Sequence, residues 1–188
     1  MPLVRVEDQL YVHYAKGSLA MYALQDYIGE DVVDAALAKV IAKYKFQPPP
    51  YPDATDLVAA LRAATPPEYP HLIEDLFETI TLFENRATHA TYSKRPDGKY
   101  DVVVDVRAKK VRATELGGET EVPLDDFIDV GVVDKDGKVL ALERKKIDVP
   151  ESRFTLTVDA EPAKAGIDPL NKLIDRMPDD NLIRVEKD

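Results

Sequence analysis

Tyr100-Asp101-Val102-Val103-Val104-Asp105-Val106-Arg107-Ala108 decides how the second half of this chain folds. Tyr100, Val102, Val104, Val106 and Ala108 alternate with Asp101, Val103, Asp105 and Arg107. That two-residue period puts one set on a buried sheet face and the other towards solvent. Upstream, Thr88 to Ser93 is a second candidate strand. Pro96-Asp97-Gly98 between the two supplies the turn chemistry of a hairpin.

Downstream, Leu116-Gly117-Gly118 opens a loop, and Thr120 to Val133 holds one or two further strands. Asp134-Lys135-Asp136-Gly137-Lys138 turns the chain into Val139-Leu140-Ala141-Leu142, and Phe154, Leu156 and Val158 alternate again. Short strands separated by regular turn signals imply an antiparallel sandwich of about immunoglobulin size.

Upstream of Asn85 the period is helical instead. Leu10, Tyr14, Gly17, Met21, Leu24 and Ile28 recur at gaps of four and three, which predicts one buried helical stripe. Gly17 is unfavourable within it unless a bare backbone is needed for close approach. Gly29-Glu30-Asp31 marks a stop and restart. Val32, Val33, Ala36, Leu37, Val40, Ile41 and Tyr44 then trace a second amphipathic helix. Gln47-Pro48-Pro49-Pro50-Tyr51-Pro52 breaks it and reads as a connector. Asp53 to Ala64 is a third helix, with Leu57, Val58 and Leu61 inward. Thr65-Pro66-Pro67-Glu68 has the pattern of a capping box for a fourth, continuing through Leu72, Ile73, Leu76, Phe77 and Ile80. The fold class is therefore α+β: an all-helical segment over 1–86, then an antiparallel immunoglobulin-like β-sandwich over 87–188.

The chain has 188 residues, 45% of them hydrophobic, enough to build a core. A formal net charge of −10 argues against a nucleic-acid or anionic-membrane surface. The absence of cysteine excludes disulfides without naming a compartment. The longest apolar run, Leu19 to Leu24, is far short of a membrane span. Arg5, Glu7 and Asp8 interrupt any apolar segment that would mark a secretory leader. Glu74, Asp75 and Glu78 read as solvated charge, and Asp125, Asp126 and Asp129 as an exposed strand edge or, alternatively, a cation-binding cluster. Asp168, Asp175, Asp179 and Asp180 invite the same reading, and Arg144-Lys145-Lys146 reads as a solvated strand end.

The densest group of chemically capable side chains is Tyr11-Val12-His13-Tyr14-Ala15-Lys16-Gly17. Tyr14-Ala15-Lys16-Gly17, followed by an apolar helix and Gly29-Glu30, resembles the Tyr-x-Lys-Gly signature of aminopeptidase N-like (gluzincin) zinc metallopeptidases. The order of the later segments, as far as Val158, resembles that family's small sandwich after its catalytic domain. The resemblance implies that Tyr14 is a catalytic residue. Its phenol would donate a hydrogen bond to the tetrahedral oxyanion that zinc polarises from the other side. Phenols suit this role because an ordinary pKa of about 10 keeps them protonated at neutral pH. By its spacing alone, Tyr14 reads as a core tyrosine with a hydrogen-bonded hydroxyl. His13 reads as substrate-orienting or as a surface histidine, and Lys16 as an anchor for its helix.

The family's zinc is held by H-E-x-x-H and a later glutamate. His13, His71 and His89 are the only histidines, and none begins that motif. His71 and Glu74 make only His-x-x-Glu. The resemblance therefore implies a C-terminal piece of a larger peptidase-like protein, inactive alone and holding no cofactor, with zinc in the parent. Its partners would be the upstream catalytic domain and, in the parent, a peptide substrate, with no nucleic acid and no direct membrane contact. Ala165-Gly166-Ile167-Asp168-Pro169 to Asp180-Asn181 resembles peptidase-like domains fused to bacterial ABC transporter permeases, which implies a soluble piece of a membrane-anchored parent. The alternative is a non-catalytic interaction module that docks a partner or a transporter domain.

Overall fold

The computed structural model describes residues 1–6 and 9–188, so Glu7 and Asp8 lie outside the described residues. Helices and antiparallel sheets are both present, as an α+β chain requires. Two compact units form. One takes in Met1–Thr81 with Arg112–Glu119, the other Leu82–Val111 with Thr120–Asp188. The sequence had suggested a single division after residue 86.

The helical unit contains α1 (Gly17–Ile28), α2 (Glu30–Tyr44) and α3 (Ala54–Ala64). Gly29 separates the first two with φ of +94°, a conformation that costs a glycine little. Asp53 caps α3, accepting the backbone N–H of Thr55 at 2.8 Å, and a reciprocal Asp56 bond completes a capping box. Leu24, Val58, Leu61 and Phe77 lie in its core. Burying each such side chain contributes about 1.5–3 kcal/mol before entropy is counted.

Two helical expectations fail here. Thr65 does not start a helix; it closes α3, its hydroxyl donating to the Leu61 carbonyl at 2.9 Å. The fourth helix is also short, ending in a wide π turn at Glu74–Glu78. Thr79 is already extended, and the β-branched run Thr79-Ile80-Thr81 favours a strand over another helical turn.

The strands are β1 (Ile80–Phe83), β2 (Arg86–Lys94), β3 (Tyr100–Arg107), β4 (Lys110–Ala113), β5 (Glu119–Val122), β6 (Asp126–Val133), β7 (Val139–Ile147), β8 (Glu151–Val158), β9 (Lys164–Ile167), β10 (Leu182–Arg184) and β11 (Glu186–Lys187). In the strand-rich unit, one four-stranded sheet runs β11-β2-β3-β8 and another β10-β9-β6-β7. The expected hairpin is β2–β3, with Tyr92 opposite Val102 and Ala90 opposite Val104. Val102, Val104 and Val106 share a core with Ile128, Val130 and Val132 of the second sheet, so period-2 burial in both sheets builds one interior. The first sheet is not wholly antiparallel, because β11 runs parallel to β2, with Glu186 opposite Thr91.

β9, β10 and β11 were not anticipated. Gly166 in β9 explains why the sequence hid its strand. A Cβ there would stand 1.7 Å from the Asn181 carbonyl oxygen, so close backbone approach excludes the branched side chains that usually signal a strand.

Candidate functional site

Tyr14 lies in a wide π-helical turn, Tyr11–Lys16, that leads directly into α1. The Gly17 N–H reaches back to the Val12 carbonyl, a five-residue bond that gives the turn its width. An extra residue in a turn rotates everything before it relative to the helix that follows. Ala20, Ala23, Leu24 and Ile28 are therefore buried, while Leu10 and Tyr14 face outward. The expected stripe fails at this point: Tyr14 is 67% exposed, so it is not a sealed core tyrosine.

The turn is braced on both sides of Tyr14. The Ser18 hydroxyl donates to the Tyr14 carbonyl at 2.5 Å, and the His13 and Tyr14 ring centroids stand 4.8 Å apart with a 46° tilt. The Lys16 Nζ donates to the Thr79 carbonyl at 3.1 Å, in line with the anchoring expected of it. Burial lowers the pKa of that amine below the usual lysine range. Gly17 has no steric reason to be bare within this unit. Its added Cβ would meet Leu3 Cδ1 at an ordinary 3.9 Å.

His71 and Glu74 form no metal site. The Glu74 carboxylate instead accepts from Arg112 Nη1 at 2.7 Å, and Asp75 from Nη2 at 2.7 Å. Asp75 also accepts from the Thr81 hydroxyl at 3.1 Å and is buried. Burial works against the Arg112 charge, yet the two carboxylates raise its pKa overall. The reading of Glu74 and Asp75 as solvated charge is therefore corrected: they anchor an arginine more than thirty-five positions on. Among the described residues no group of three or more His, Cys, Asp or Glu side chains could hold a metal ion. No described helix is long and apolar enough to cross a membrane.

The acidic clusters of the strand-rich unit also differ from expectation. Asp129 is only 4% exposed, pairing with the buried Lys172 ammonium and accepting from Arg144 Nε at 3.1 Å. Asp126 accepts from the buried Lys110 at 2.8 Å. Asp168 accepts the backbone N–H groups of Lys172 and Leu173 at 2.9 Å each, and burial pushes its pKa up to about 6. These are internal struts, so Asp129, Asp168 and Arg144 are not the solvated residues their runs suggested. Compared with protein-family models and with curated proteins, the chain gives no match.

Proposed function

We propose that this chain is the C-terminal part of a zinc aminopeptidase-like protein, contributing Tyr14 to a reaction centre whose zinc ligands lie in an upstream catalytic domain. On this reading the strand-rich unit is the immunoglobulin-like sandwich that follows the catalytic domain, and the chain alone hydrolyses nothing. The observation that carries the proposal is the outward Tyr14 phenol on a turn braced by Lys16 and Ser18. A hydroxyl so placed can meet groups that this chain does not contain. A rigid neutral donor is what oxyanion stabilisation requires, because pre-set dipoles need no reorganisation during reaction. Leu10, Tyr22, Ile41 and the fully exposed Phe46 of the helical unit are further apolar side chains open to contact with an upstream domain.

Those same exposed side chains favour a second reading, a non-catalytic module that docks a partner or a transporter domain. The longer protein encoded with its upstream sequence separates the two. The peptidase reading expects an H-E-x-x-H motif upstream, stoichiometric zinc, and hydrolysis of an aminoacyl anilide that a chelator abolishes. A parent without that motif, without bound zinc and without hydrolysis is the docking module.

A further inference from the structure

One cleft of about 360 Å³ lies wholly inside the strand-rich unit, its lining including Asn85, Arg86, Arg107, Arg176 and Asp180. Several of its charges are already matched. Arg86 Nη2 donates to Asp180 Oδ2 at 2.9 Å, and Lys109 and Arg176 share Glu84 at 3.1 and 2.5 Å. The Asp175 carboxylate accepts the backbone N–H groups of Asn85 and Met177, each at 2.8 Å.

Three groups in the lining are not matched. Arg107 stands directly across the β2–β3 hairpin from Arg86, and like charges so opposed destabilise a sheet. Among the described residues its guanidinium makes no ion pair, even though Glu151 is its neighbour on β8. Asn85 is 2% exposed, yet neither its Nδ2 nor its Oδ1 has a hydrogen-bond partner. Asp180 Oδ1 is buried without one as well. Arg107 is solvent-exposed, but buried polar atoms in folded proteins are nearly always satisfied, so Asn85 Nδ2, Asn85 Oδ1 and Asp180 Oδ1 in one cleft call for a common explanation.

Their chemistry limits what could complete them. An unpaired guanidinium fits a carboxylate through two parallel bonds. A primary amide presents a donor and an acceptor side by side, the complement of a peptide group. Asp180 Oδ1 accepts an N–H. Four cationic side chains oppose a metal ion here, while Glu84, Asp175 and Asp180 oppose a multiply charged anion. We infer that the cleft binds an acylamino carboxylate, a carboxylate with a neighbouring amide, as at the end of a peptide or in an N-acylated amino acid. Arg107 takes the carboxylate, and Asn85 with Asp180 takes the amide. This site is separate from Tyr14 and stands whether or not the peptidase reading does.

Backbone amide shifts of the 188-residue chain, titrated with triglycine, N-acetylglycine and N-acetylglycinamide, test the assignment. The two carboxylates should give saturable shifts around Asn85, Arg107 and Asp180, with Kd on the order of millimolar. N-acetylglycinamide should bind about tenfold more weakly, and Arg107→Ala should weaken both carboxylates about tenfold while leaving the spectrum of a folded protein. Tighter binding of triglycine than of N-acetylglycine identifies a peptide end, and equal binding an N-acylated amino acid. Absence of saturable shifts, or affinity indifferent to amide capping or to Arg107→Ala, overturns the site.

Discussion

The Lys16 ammonium donates to the Thr79 carbonyl oxygen at 3.1 Å, joining the turn that carries Tyr14 to the end of the last helical segment of the same unit. Burial opposes the charge, as the lowered pKa of Lys16 records. A hydrogen bond from a charged donor, worth about 1.5–3 kcal/mol, offsets part of that cost. Lys16→Ala should therefore loosen the turn before it unfolds the unit. Amide exchange at Gly17, whose N–H bonds to Val12, should accelerate about tenfold by local opening. Unchanged exchange would show that the turn is braced by other contacts.

Lys172 and Asp129 form a buried pair, although the acidic run that holds Asp129 reads as solvated. Lys172→Met leaves Asp129 with Arg144 beside it, and should cost about 3–5 kcal/mol, the range for breaking a buried pair from one side. Asp129→Leu combined with Lys172→Met should recover part of that loss, since the Asp129 carboxylate is then no longer buried without its ammonium partner. Urea denaturation of the single and double variants measures both. A double variant less stable than the single Lys172→Met would contradict the assignment.

Asp168 supplies the pH dependence. Its folded pKa of about 6 lies above the ordinary aspartate value of 3.8, so the folded state holds the proton more readily than the unfolded chain. The associated stability is present in full below the unfolded pKa and is lost as pH rises through about 6. The difference corresponds to about 3 kcal/mol, in which the opposing Lys172 and Leu173 N–H bonds are already counted. Asp168→Asn should remove this slope between roughly pH 4 and 6, as followed by urea midpoints across that range. A variant that keeps the wild-type slope would assign the effect to another carboxylate.

The β2–β3 hairpin was legible because Val102, Val104 and Val106 alternate without interruption, and the α3 helix because its apolar residues recur at helical spacing. The exposure of Tyr14 was not, since a π turn shifts phase without any residue that announces it. Asp129 was misread because its partners Arg144 and Lys172 stand 15 and 43 positions away, beyond any local pattern. The β9 strand was hidden by Gly166, whose lack of a side chain is what its packing requires. Local periodicity thus reported the elements, while long-range ion pairs and backbone contacts set which charges are structural.

The peptidase reading concentrates in the Tyr14 hydroxyl, and Tyr14→Phe removes that oxygen while keeping the ring. Measured in the zinc-loaded parent, kcat should fall on the order of a hundredfold or more, the loss expected for one oxyanion donor. KM should change little, because the bond strengthens only in the transition state. A parent whose kcat is unaltered by Tyr14→Phe would contradict the proposed role.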